Sequence, residues 1–266
     1  MGRVTLPASH DAWLAARDAA AFAPHGLAAL ARTAWLSDTP MEVPGTPGAW
    51  HLDAGVATNG DLRLAPGDEA PHGEVLLRAF ARDGAVALRV LDPERPAREG
   101  LAAIERWPVD PDLVRPGRLD PMPSATTPTV AIDGHRGSTR YDGAVAFEVD
   151  GTALTLLVHR EGDQLFAAFA DATAADESYA FRMIRLAAPG PDGVVIVDLN
   201  RAYLPPSRFS PHFVCVTPPA TNRWAVPVRG GERRIVPRDA RQNSGAAVPA
   251  STSGTPAART GPTLSR

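Results

Sequence analysis

At 266 residues and a net charge of −3, the chain is long enough for one large domain and lacks the basic face that nucleic-acid binding normally shows. Its hydrophobic fraction of 44% supports a sizeable core, yet no apolar run reaches the ~18 residues a membrane span needs. All 27 basic residues are arginine, scattered along the chain, which fits a GC-rich genome, and the single cysteine excludes an intramolecular disulfide or a cysteine-based metal cluster.

The opening MGRVTLPASHDAW lacks the charged-then-apolar layout of a secretory signal, so a cytoplasmic protein is expected. Trp13, Ala16 and Ala20, then Leu27, Leu30 and Ala31, recur at helical spacing around a break at Pro24-His25-Gly26. Two short helices are predicted there, within a segment 1–40 that packs on a larger core.

From Met41 the period changes to short apolar runs separated by Gly, Pro and Asp. Asp83-Gly84 and Asp150-Gly151 each sit between alternating runs, the signature of a tight hairpin, and Gly162-Asp163 turns the chain again. Leu101 to Ile104 reads as a helical turn. Further strands are expected at 115–122, 129–132, 144–149, 153–159, 165–169, 179–186 and 194–197. Strands at intervals of ~8–12 residues with no βαβ alternation predict a mainly β, antiparallel sandwich or partly closed barrel with short N-terminal helices. The core is expected over 41–236. From 237 to 266 the composition falls to Ala, Ser, Thr, Gly, Pro and Arg, which predicts a disordered tail.

The densest collection of polar and aromatic side chains runs from Val194 to Gly231, stiffened by two Pro-Pro pairs. Its landmarks are DLNRAYLPP (Asp198 to Pro206), FSPHFVCVTPP (Phe209 to Pro219) and an Asn222…Gly-Gly-Glu ending at Glu232. They are preceded by WPVDP (Trp107 to Pro111), FADAT (Phe169 to Thr173) and ESY (Glu177 to Tyr179). In order and spacing these resemble the bacterial family known as domain of unknown function 1684. The resemblance implies a mostly β domain and brings no activity. Two places depart from the family pattern: Ser207 stands where a cysteine is frequent, and either Arg182 or Arg185 takes the place of an arginine after the tyrosine.

Taken as chemistry, strand alternation puts Asp198 and Asn200 on one side, with Asp171 at another strand end. Two carboxylates brought together can share a proton or hold a cation. Alternatively, Asp171 makes an Asx turn with Thr173 while Asp198 and Asn200 tie down the proline-rich loop. Tyr179 and Tyr203 offer phenols, His212 a base between two phenylalanines, and Asn222 with Arg223 an anion clamp. No spacing points to a metal, a cofactor or a particular oligomeric state. Three readings follow. The first is a small-molecule binding protein with Asp171, Tyr179, Asp198, Asn200 and Tyr203 around one hollow. The second is a hydrolase-type enzyme with Asp171 or Asp198 as general base, and the third a structural or interaction domain. On every reading neither nucleic acid nor a membrane is an expected partner.

Overall fold

The structure, a computed structural model, describes residues 9–174 and 176–237. The expected tail therefore lies outside the described residues, except for Pro237. Helix α1 (Ser9–Phe22) is followed by a single 3-10 turn at Leu27–Ala29, and then the chain becomes extended as β1 (Leu30–Trp35). The second predicted helix is thus a strand. Its backbone pairs with a partner some sixty residues away in sequence, and that partner outweighs the local helical spacing.

Four short strands, β2 (Met41–Glu42), β3 (Ala49–Asp53), β4 (Val56–Thr58) and β5 (Arg63–Leu64), form a small antiparallel sheet in sequence order. Next come β6 (Glu69–His72), β7 (Val75–Arg82) and β8 (Ala85–Leu91), which with β1 make a sheet of order β1-β8-β7-β6. The predicted hairpin joins β7 to β8. Asp83 and Gly84 have φ of 50° and 82°, the paired left-handed conformation that matches the twist of the flanking strands. Trp50, Leu77, Leu88 and Val90 fill the core between these two sheets.

After a one-turn helix α2 (Arg95–Arg98), β9 (Leu101–Arg106) occupies the stretch expected to be a helical turn, and it pairs with the last strand of the chain. The largest sheet is built from β10 (Val114–Val130), β11 (Arg136–Val149), β12 (Thr152–Glu161), β13 (Gln164–Phe169), β14 (Arg182–Ala187) and β15 (Val194–Asp198). Its order is β14-β13-β12-β11-β10-β15, antiparallel throughout and nearly closed into a barrel. The mainly β, antiparallel architecture expected from the sequence is what forms, and of the two forms expected, sandwich or partly closed barrel, this sheet takes the second. Alternation decides what faces inward: Val145, Phe147 and Val149 of β11, Leu154, Leu156 and Val158 of β12, and Leu165, Ala167 and Phe169 of β13 are all buried. Trp224 completes this core, stacked on Phe169 at 4.8 Å, with its indole N–H donated to the Thr155 carbonyl at 3.0 Å. A 3-10 turn (Leu199–Arg201), a short helix α3 (Pro206–Phe209) and β16 (Glu232–Pro237) finish the chain.

Candidate functional site

The acidic and amide residues singled out from the sequence are placed as structural clasps. Asp171 is buried at the barrel mouth. Its Oδ2 accepts from Arg182 at 2.7 Å, and its Oδ1 accepts the backbone N–H of Thr173 at 2.9 Å and of Val228 at 3.1 Å. This includes the Asx turn with Thr173 named as the alternative. Arg182 occupies an inward-facing position of β14, lies 4.9 Å from the Trp107 ring centroid, and donates also to the carbonyls of Val228 and Gly230.

Asp198 and Asn200 do meet, though not across a hollow. Strand alternation ends at Asp198, which caps the following 3-10 turn by accepting from the Asn200 N–H at 3.1 Å. Asn200, also buried, accepts the Asp110 N–H and donates to the Asp110 carbonyl, both at 2.9 Å. Packing between this pair and the Asp171–Arg182 clasp is solid. Gly230 sits there, and a Cβ added to it would come within 2.5 Å of Leu113 and 3.5 Å of the Asn200 Oδ1. Asn222 is fully buried and stitches two strands together, accepting from Leu157 N–H and donating to the Leu157 and Ala168 carbonyls. Arg223 is exposed beside it. His212 lies against β1, where its carbonyl accepts the Thr33 hydroxyl at 2.9 Å; burial and the nearby Arg32 and Arg95 push its imidazole pKa down. Tyr179 packs on Phe181 at 5.7 Å. The convergence of Asp171, Tyr179, Asp198, Asn200 and Tyr203 around one cavity is therefore not what the chain builds.

Tyr203 alone of those residues lines a cleft of about 440 Å³ on the outside of the barrel. Its floor follows from strand alternation. The inward residues of β13 and β14 leave Phe166, Met183 and Arg185 pointing outward, and the register sets His159 opposite Phe166 and Phe166 opposite Arg185. Tyr203 is fixed above by a reciprocal backbone pair with Met183, N to O at 2.8 Å in both directions. Helix α1 supplies the roof through Trp13 and Arg17, spaced i, i+4 on one face.

The cleft is aromatic and apolar over most of its wall and carries one adaptable ion pair. Arg185, half-exposed, bonds Glu161 and lies 5.0 Å from the Phe166 ring centroid. Burial alone would raise the Glu161 pKa, but hydrogen bonds from Arg185 and His159 outweigh it and hold the carboxyl below its usual range. Burial pushes the Tyr203 phenol up despite Arg185 and Arg17 nearby, so it is a neutral donor at physiological pH. Arg17 is already committed to Glu232, at 2.9 Å, and to the Leu204 carbonyl, at 2.8 Å. The two arginines left open by the sequence thus have different duties: Arg182 closes the barrel mouth and Arg185 faces the cleft. The sequence does not single out Arg17, Glu161, Phe166 and Met183, marks Trp13 only as part of a helix, and leaves Arg185 only as one of two candidates for a family arginine. The available signals were the Trp13/Arg17 helical spacing and an aromatic at the outward position of a strand.

Cys215 is partly buried, and burial pushes its thiol pKa up, with Ser207 against it acting in the opposite sense. Iodoacetamide is therefore expected to alkylate the native protein at least about tenfold more slowly than the urea-unfolded chain at the same pH. Equal rates would show the thiolate to be readily available in the fold.

Among the described residues, no three His, Cys, Asp or Glu side chains gather as a metal site. Nor is any helix there long and apolar enough to cross a membrane. Against known proteins, the family described as "Protein of unknown function (DUF1684)" matches residues 99–233. Among solved structures, the solution NMR structure of an uncharacterized protein from Haloarcula marismortui is similar at 25% identity. That match covers 53% of this chain and 80% of the other, with a TM-score of 0.43. No curated protein matches.

Proposed function

This chain belongs to the DUF1684 family, which carries no assigned activity, and from that premise we propose that it is a small-molecule binding protein whose ligand occupies the Tyr203 cleft. The observation that carries the reading is the combination in one hollow of a preformed aromatic and apolar wall with a few polar groups able to orient a guest. That combination is the usual make-up of ligand sites. Trp13, Phe166 and Met183 offer a surface for a flat or hydrocarbon body, and the Tyr203 hydroxyl and Arg185 offer donors to an acceptor on it. Glu161 can give up part of its hold on Arg185 because both side chains reach solvent. The ligand class favoured is an aromatic or hydrocarbon molecule with one anionic or carbonyl acceptor.

The hydrolase reading finds no support in the predicted bases, since both oxygens of Asp171 and of Asp198 already accept hydrogen bonds or pair with arginine. A bacterial cytoplasmic setting fits the arginine-only composition and the free thiol. The modest net negative charge gives nucleic acid no electrostatic footing.

Anilinonaphthalene sulfonate, an aromatic anion, tests the cleft. Its bound fluorescence is expected to include a saturable component excited by energy transfer from Trp13. Met183→Trp, which fills the floor, is expected to weaken binding at least about tenfold. Unchanged affinity in a folded Met183→Trp variant would remove the ligand from this cleft.

A further inference from the structure

A second hollow of about 320 Å³ lies on the far side of Leu27 and Arg17, which line both. Its charged floor is a row across the β1-β8-β7-β6 sheet, where the register sets Glu69 opposite Arg78, Arg78 opposite Arg89, and Arg89 opposite Thr33. Like charges directly opposite one another on neighbouring strands repel, so the Arg78–Arg89 pairing costs stability unless an anion offsets it. Arg78 has its anion, Glu69, at 2.6 Å. Arg89 has none among the described residues.

Arg89 is instead stacked on aromatic rings. Its guanidinium carbon lies 3.6 Å from the Phe80 centroid and 5.3 Å from that of Phe213, and its Nε is buried without a hydrogen-bond partner. Stacking satisfies the faces of the guanidinium and leaves its in-plane N–H donors, the groups that fit an oxyanion side-on, uncommitted. The other nearby groups do not neutralise it. Arg17 is itself a cation engaged with Glu232, His25 is bonded at Nε2 to the Glu74 carbonyl at 2.9 Å, and the Cys215 thiol is held neutral by burial. Burial and the facing Arg78 bring the Arg89 pKa down to about 10, which still leaves it charged at neutral pH. Beside the charges the hollow is apolar, through Leu27, Leu30, Leu91 and Phe213.

We propose that this hollow is a second, separate binding site for a small organic oxyanion. Arg89, with Arg78 beside it, receives the phosphate or carboxylate head while a short hydrocarbon part rests on Leu91 and Phe213. The site goes beyond the Tyr203 cleft and does not depend on it.

Isothermal titration of the full chain with hexyl phosphate, hexanoate and hexanol tests the assignment. At least one of the two anions is expected to bind at a single site, the tighter one identifying the head group, and hexanol is expected to bind more weakly than either. Arg89→Met keeps a stacked hydrocarbon and removes the charge; it should weaken the preferred anion at least about tenfold. Met183→Trp, in the other cleft, should leave that affinity unchanged. The proposal is overturned if neither anion outbinds hexanol, if Arg89→Met binds as the parent does, or if Met183→Trp abolishes binding, which would place the anion in the Tyr203 cleft. Should Arg89→Met not fold, Arg78→Gln decides: weaker anion binding supports the site, and unaltered binding overturns it.

Discussion

Replacing Asp171 by alanine is expected to lower the unfolding free energy by about 3–5 kcal/mol, the cost of leaving one member of a buried ion pair without the other. Arg182 is 1% exposed and Asp171 2% in their side chains, so no solvent is at hand to take over from the lost carboxylate. The substitution also strips acceptors from the Thr173 and Val228 amides. Urea denaturation followed by Trp fluorescence measures the effect as a fall in midpoint. A companion variant, Asp171→Leu with Arg182→Met, should recover only the part of the loss due to the uncompensated charge, since the Thr173 and Val228 amides and the Val228 and Gly230 carbonyls stay unpaired. A loss below about 1 kcal/mol for Asp171→Ala would mean the pair behaves as an exposed one and that water reaches the barrel mouth.

Glu232→Ala is expected to be as costly, again about 3–5 kcal/mol, and to act chiefly on helix α1. The Glu232 carboxylate is fully buried and accepts from Arg17 at 2.9 and 3.3 Å, from the Leu204 N–H at 2.8 Å and from Arg106 at 3.4 Å. Arg106 in turn reaches Asp18 of α1 at 2.7 Å. Without the carboxylate, Arg17 loses its counter-charge, Arg106 keeps only Asp18, and α1 is left with that one ion pair as its polar anchor. Hydrogen exchange should then show the α1 amides opening far more often than in the parent, while those of β11 and β12 change little. Glu232→Gln, which can still accept from Leu204, should be milder. Unaltered protection of α1 in Glu232→Ala would show that the apolar contacts of Ala21 and Phe22, with the Asp18–Arg106 pair, suffice to hold the helix.

The hairpins were readable because their chemistry is local. At Asp83-Gly84 and Asp150-Gly151 two consecutive residues adopt positive φ, and few residue pairs accept that. The strands at Leu30–Trp35 and Leu101–Arg106 were not, since each is extended only by virtue of a distant partner, β8 and β16 respectively. Helical spacing of leucine and alanine says nothing about such partners. The same distinction separates the two accounts of the site. The sequence marked Asp171, Asp198, Asn200 and Asn222 as polar groups with a purpose, and each has one, in satisfying buried backbone or an arginine. Where they point was hidden by the 3-10 turn that begins at Leu199 and cancels the alternation rule. The cleft was visible only at Tyr203, because its other walls come from α1 and from the outer face of β13 and β14, which no short stretch of sequence brings together.

The bond between Arg17 and Glu232 joins positions 215 residues apart, almost the whole described chain. A chain leaving the ribosome has therefore made helix α1 and nearly every strand before the residue that locks the helix in place exists. The long loop this contact closes puts it at the slow end of the folding reaction, since loop entropy must be met before such a contact contributes anything. Until then the outer face of the barrel, with Phe166 and Met183, lacks the ion pair that fixes Arg17 over it, and the Tyr203 cleft is the kind of apolar surface that a folding chain leaves uncovered longest.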